Sequence, residues 1–142
     1  MRDGWRCGRW IVENLPSDIR EDSIPSHDYL SIAVEFDNGW DLTYYWSCAL
    51  KPGTGYICPL PNWKHREFHV VVRSGPNGLG EWVADRRDVY DDTQHHMKDL
   101  GPAPTRIVRV WFIGNSTFQR RLGKCAFADI RLKSKGDEIV VL

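Results

Sequence analysis

The side chains best equipped for chemistry in this 142-residue sequence are aromatic and ionic, and many lie in turn-rich stretches. Seven Trp and five Tyr supply flat apolar faces with polar tips. Such faces beside Arg, Asp and Asn suit a sugar: its ring C–H groups stack on an aromatic plane, and its hydroxyls exchange bonds to water for bonds to protein. The candidates are Trp40, Trp46, Trp63, Trp82 and Tyr90, with Arg73, Asp88, Asn62 and Asn115. Trp46 and Trp111 fall in strand-like runs and are expected in the core. Trp63 (in PLPNWKH) and Trp82 (in GLGEW) are flanked by turn residues, and loops carry binding groups disproportionately. Either ring could instead anchor its own loop. The expected ligand site is Trp82, Tyr90, Arg73 and Asp88, with Trp63.

The other ionic groups read mainly as structure. An Arg of the Arg73, Arg86, Arg87 set within reach of Asp88 or Asp92 would form a bidentate pair pinning this segment to a sheet. The alternative is that such a guanidinium holds a sugar carboxylate or sulfate. Asp129 is a weak calcium candidate, with Asp28, Asp37 and Asp41 as possible helpers. Calcium wants six or more oxygens, and no spacing here demands it, so Asp129 is expected to be solvated or paired with Arg131. His65 and His69 lie on strand-like sequence, about 13 Å apart along the chain, and do not form a zinc pair unaided. His95 and His96 read as an exposed helix face. No metal and no cofactor is expected.

Cys7, Cys48, Cys58 and Cys125 form no CxxC pair and match no zinc spacing. They are compatible with two disulfides or with free thiols. A chain reversal at Pro52-Gly53-Thr54-Gly55 would set Cys48 opposite Cys58 across a hairpin, within bridging reach. No nucleophile elbow, HExxH, P-loop or dinucleotide fingerprint is present. A carboxylate pair for glycoside hydrolysis could come from Glu35 or Glu67 with Asp88 or Asp92, but sequence cannot give the separation. The balance leans away from an enzyme.

The elements that must hold these groups follow a period of two. In Asp28–Phe36, Leu30, Ile32, Val34 and Phe36 share one face. Asn38-Gly39 is a hairpin turn, after which Leu42, Tyr44, Trp46 and Cys48 share a face. Strands are also expected over Glu67–Arg73, Ile107–Ile113 and Cys125–Leu132, with a short edge strand at Ile139–Leu142. Between them, residues 74–105 form a loop and helix insertion. Asp88 or Asp91 caps the helix, Val89, Thr93 and Met97 share its face, and Gly101 closes it. This describes one all-β, antiparallel β-sandwich over residues 1–142 with one short helical insertion.

Composition narrows the function classes. Lys+Arg and Asp+Glu are both 19, for zero formal net charge, which argues against a general nucleic-acid binder and gives no attraction to anionic membranes. The start, MRDGWRCGRW, has no apolar stretch of a secretory leader. The default expectation is therefore cytoplasmic, the alternative being a mature or truncated form whose leader is absent.

From Trp10 to Ile130 the chain resembles an uncharacterised bacterial domain family. The match is carried by Trp10-x-Val12-x-Asn14-Leu15-Pro16, His27-Asp28-Tyr29, Tyr45-Trp46-Ser47 with Leu50, Val72-Arg73-Ser74-Gly75, Leu79-Gly80-x-Trp82, Arg86-Arg87-Asp88-Val89-Tyr90-x-Asp92 and Ala128-Asp129-Ile130-Arg131. The resemblance implies a jelly-roll sandwich akin to galactose-binding-like and carbohydrate-binding modules, in proteins often exported. It implies no established activity. Two departures stand out. The chain begins almost at Trp10, which would leave a sheet edge open to a homo-oligomer, and Gly114-Asn115-Ser116-Thr117-Phe118 lacks the family's acidic loop, which weakens a metal site there. The leading expectation is non-catalytic binding of a glycan or other small polar ligand. The alternatives are a carbohydrate-active hydrolase or lyase on the same scaffold, and a structural or assembly subunit with an apolar patch around Trp5 and Trp10.

Overall fold

A computed structural model describes the backbone of residues 3–142 and the side chains of residues 8–142; the side chains of Trp5 and Cys7 lie outside the described ones. The elements run β1 (Asp3–Asn14), β2 (Leu30–Phe36), β3 (Asp41–Ser47), β4 (Gly55–Ile57), β5 (Glu67–Ser74), β6 (Val83–Arg87), α1 (Val89–His96), β7 (Ile107–Gly114), β8 (Lys124–Ala128), β9 (Arg131–Ser134) and β10 (Asp137–Val140). The strands form two five-stranded sheets, so the chain is an all-β sandwich with one short helix.

The first sheet is built around β1. β6 pairs along one of its edges, and β8 and β9 pair end to end along the other, with β10 beyond β9. The second sheet has the order β4-β5-β3-β2-β7. Alternation in β2, β3 and β5 sends Leu30, Ile32, Val34, Phe36, Leu42, Tyr44, Trp46, Phe68 and Val70 into the main core, where Trp10, Val12 and Ile130 meet them from the first sheet. Trp46 is sealed there as expected. The Asn38-Gly39 turn is also present, with Gly39 at φ +85°, a conformation that favours glycine.

One pair departs from the antiparallel rule. β3 and β5 run parallel, with Asp41 beside Glu67 and Thr43 beside His69. A parallel neighbour needs a long crossover, and residues 48–66 supply it. Within that crossover β4 pairs with β5 and not with β3, so the hairpin that would oppose Cys48 and Cys58 does not form. Both thiols are free; Cys48 Sγ donates to the Ile19 carbonyl at 3.2 Å.

The segment 74–105 is more than a loop and helix, because β6 within it completes an edge of the first sheet. Asp88 caps α1, accepting from the Asp91 N–H at 3.1 Å. Val89, Thr93 and Met97 are buried beneath the helix. Asp92 accepts from Arg87 at 2.6 and 3.0 Å and from the Tyr44 hydroxyl at 2.7 Å, which ties helix, β6 and core together.

A sandwich sheet usually leaves its outer face to water. Here Asp41, Thr43, Tyr45, Ser47, Glu67, His69 and Val71, which point away from the main core, are buried as well. The connections before β2 and after β3 cover them. Tyr29, Tyr45, Leu50 and Val71 make a small second core, and buried Glu21 accepts from Ser47 Oγ at 2.6 Å and from the Cys48 N–H at 2.8 Å. This cover ends before the β2–β7 edge, and there a recess opens.

Candidate functional site

The recess holds about 420 Å³ and is walled by Trp63, Arg66, Arg109, Trp111, His27, Asp41 and Glu67, with Ala33 and Thr43 also lining it. Its position follows from strand register. Ala33 of β2 pairs with Trp111 of β7, so the indole stands on the outer face beside a side chain too small to cover it. The expectation of a core Trp111 is therefore corrected: it is 39% exposed, while its neighbours Val110 and Phe112 take the other face, Val110 packing on the main core and Phe112, itself exposed, touching Phe127. The run Ile107–Ile113 is apolar on both faces, which hid that assignment.

The opposite wall comes from a helical turn over residues 61–66, in which the N–H groups of Arg66 and Glu67 donate to the Trp63 carbonyl. Its geometry puts Arg66 over the ring of Trp63, 5.0 Å from the ring centre. A matching stack exists across the recess, with Arg109 4.9 Å above Trp111. Trp111 Nε1 donates to Glu35 Oε2 at 3.0 Å, and Arg109 lies 3.6 Å from the same oxygen. Each indole thus lines the same hollow with a guanidinium over one of its faces.

Asp41 and Glu67, register partners on β3 and β5, supply the acidic side. Burial, then the negative charges of Glu35 and Glu67, push the Asp41 carboxyl up to about 7. Among the described residues its Oδ1 has no hydrogen-bond partner, and neither does Arg66 Nε. Buried polar atoms are normally paired, so these two, sealed beneath the wall of the recess, are the least satisfied polar groups beside it.

Behind Glu67 lies a dense polar cluster. His69 Nε2 is 2.7 Å from Glu67 Oε1, and the Tyr29 hydroxyl donates to the same oxygen at 2.9 Å. His27 Nε2 lies 3.0 Å from Cys58 Sγ and 3.7 Å from Glu67 Oε2. His69 Nδ1 faces the Tyr56 hydroxyl at 3.2 Å, which meets Tyr45 at 2.7 Å. Burial opposes ionisation of Glu67, but the bond from His69 and the positive potential of His69 and His27 hold it below its usual range. Burial lowers His27 and lifts the Cys58 thiol to about 12.

The residues singled out from sequence are scattered. Of the expected ligand site Trp82, Tyr90, Arg73, Asp88 and Trp63, the recess is lined by Trp63; Asp41 and Glu67, named from sequence for other roles, line it as well. Arg73 Nε donates to Asp85 at 2.7 Å and its guanidinium stacks on Trp46, while Trp10 Nε1 donates to the same Asp85 oxygen at 2.7 Å. Asp88 caps the helix, and the Tyr90 carbonyl accepts from Thr93. Trp82 is 48% exposed, with Arg9 over its ring. Asp129 pairs with Arg9 rather than Arg131, at 2.6 Å. Asp28 is buried and accepts from the N–H groups of Phe118 and Gln119, so it is committed to a loop. Asp37 is likewise bound to Thr105.

From sequence Trp111 is expected in the core, Cys58 opposite Cys48 and His27 only within the family match, and Arg109 and Arg66 carry no expectation at all. A usable signal was the i, i+3 spacing of Trp63 and Arg66 in a turn-forming stretch, which puts both on one side of a helical turn.

No curated protein and no solved structure matches the chain. One family model does, described as "Protein of unknown function (DUF3047)", and it matches residues 3–131. That span takes in β1 through the start of β9, hence both sheets and every residue of the recess. The chain belongs to this family of unknown function.

Proposed function

We propose that this protein is a non-catalytic binding module for a glycan or a similar small polar ligand, of the jelly-roll, carbohydrate-binding kind, and that the ligand enters the recess between Trp63 and Trp111. One observation carries the reading: two Trp–Arg stacks wall a single hollow that the carboxylate residues Asp41 and Glu67 also line. A pyranose offers what each part lacks. Its C–H face covers an indole, and its hydroxyls donate to a carboxylate oxygen and accept from a guanidinium N–H. The two guanidiniums also favour a sugar that carries a carboxylate or sulfate. The recess is partly open, which suits recognition of a chain end or a short stretch more than engulfment of a small metabolite.

Trp82, Tyr90, Arg73 and Asp88 then serve the scaffold or a secondary contact, and Trp63 remains a ligand contact. A glycan array probed with the wild type, Trp111→Ala and Trp82→Ala tests this. Binding lost in the first variant and kept in the second supports the recess. Binding that survives Trp111→Ala contradicts it, and turnover of a bound polysaccharide would replace the module with an enzyme.

A further inference from the structure

We infer that His27, Cys58, Glu67 and His69 form a binding site for a divalent transition-metal ion, with zinc the best chemical fit. The four residues come from three separate parts of the chain: the loop before β2, the residue after β4, and two alternate positions of β5. Their donor atoms nevertheless all lie within 4.8 Å of one another. Tetrahedral zinc with bonds of about 2.0–2.3 Å separates its ligands by roughly 3.3–3.8 Å. Two separations, 2.7 and 3.0 Å, fall just below that range and a third, 3.7 Å, within it, so small outward side-chain movements would admit the ion.

The donor set selects the class of metal. One thiolate, two imidazoles and one carboxylate suit zinc and its first-row neighbours, whereas calcium and magnesium want oxygens only. The surroundings resemble those of a metal ligand shell. On binding the ion His69 would give up its Nε2 bond to Glu67 and carry its proton on Nδ1, donating to Tyr56, the arrangement by which outer partners orient a ligating imidazole. Tyr29 and Thr43 approach the same Glu67 oxygen, at 2.9 and 3.4 Å. Cys58, Glu67 and His69 are almost fully buried, and a cation would neutralise the carboxylate they enclose. His27 and Glu67 also line the recess, so the ion would be reachable from solvent. The cysteine and histidines escape spacing rules because only the fold brings them together.

The test uses the full chain, first stripped with a chelator under reducing conditions, then titrated with Zn(II) and separately with Co(II). The expected results are one tightly held Zn(II) per chain after dialysis, a higher melting temperature, and a Co(II) spectrum with a near-ultraviolet thiolate charge-transfer band and intense visible bands of tetrahedral type. Cys58→Ser should remove the charge-transfer band, and His27→Gln should weaken Zn(II) binding at least about tenfold. His65→Gln, at an exposed histidine that is not one of the four cluster residues, should change neither. Wild-type protein that holds no Zn(II) through dialysis, or whose Co(II) spectrum lacks the thiolate band, overturns the site without requiring any variant to fold. Equal Zn(II) affinity in the wild type and in folded His27→Gln overturns it too. No glycan enters these measurements, so the metal site and the ligand recess stand or fall separately.

Discussion

The guanidinium of Arg109 lies over the face of Trp111, 4.9 Å from the ring centre. The same indole donates its Nε1–H to Glu35, and Glu35 sits within ion-pair distance of Arg109. The ring is therefore fixed at its edge and clamped by a cation, yet it remains partly exposed. A tryptophan held this rigidly at a surface can meet a ligand with little entropy left to lose.

Trp111→Ala is expected to weaken ligand binding about tenfold or more, corresponding to about 1.4 kcal/mol or more, while the melting temperature moves by only about 2 °C. Calorimetric titration and thermal melting of the same preparation check both parts. A large fall in melting temperature would return Trp111 to a structural role.

Arg87→Ala should destabilise the fold by about 2–4 kcal/mol. It strips Asp92 of its two guanidinium bonds and leaves the carboxylate buried beside Tyr44. Denaturant unfolding measures the loss, and Arg87→Ala/Asp92→Asn should recover part of it, since the stranded charge is then gone.

Gly55→Ala should cost about 1–3 kcal/mol. A Cβ at this position would sit 2.7 Å from His96 Nδ1 and 2.8 Å from Phe68 Cε1, and Phe68 is part of the main core. The urea midpoint reads the effect, and Gly53→Ala offers a contrast, because open space surrounds Gly53 and only its φ of +87° resists the change.

The Asp41 carboxyl, raised to about 7, makes stability depend on pH in a stated direction. The folded protein keeps this proton above the pH at which the unfolded chain, with its ordinary carboxyl near 3.8, has released it. That contribution to stability is therefore whole below pH of about 4 and is lost as pH rises toward about 7. Asp41→Asn should stabilise the protein by on the order of 2 kcal/mol at pH 8 and by little at pH 4. Unfolding curves at the two pH values decide it; equal effects at both would mean that Asp41 is already ionised in the fold.

Much of the scaffold was legible from alternation, because β2, β3 and β5 each send a continuous apolar set inward. The helix cap was legible as well, since Asp88 can accept an N–H where a helix begins. β6 was hidden by its polar inward residue: Asp85 is held by Trp10 and Arg73, so VADRR shows no apolar face. β1 was hidden by register shifts near Trp5/Gly8 and Val12/Asn14, which break its period. β4 has three residues, too few to show one.

The candidate site was less legible, for a specific reason. Glu67 and His69 alternate with core residues of β5 and so read as facing water. Crossover loops cover that face instead, and a clue was the apolar character of Tyr45 and Val71 on it. His27, Cys58 and Trp111 reach the site through tertiary pairing alone, at separations that no local spacing rule spans.

The most direct test is an NMR titration with the strongest glycan from an array, following the indole Nε1–H signals of every tryptophan. The account predicts saturable shifts at Trp63 and Trp111, with the signals of Trp46 and Trp82 nearly unmoved. Shifts concentrated at Trp82 and the backbone around Arg73 and Asp88, with Trp63 and Trp111 silent, would contradict it.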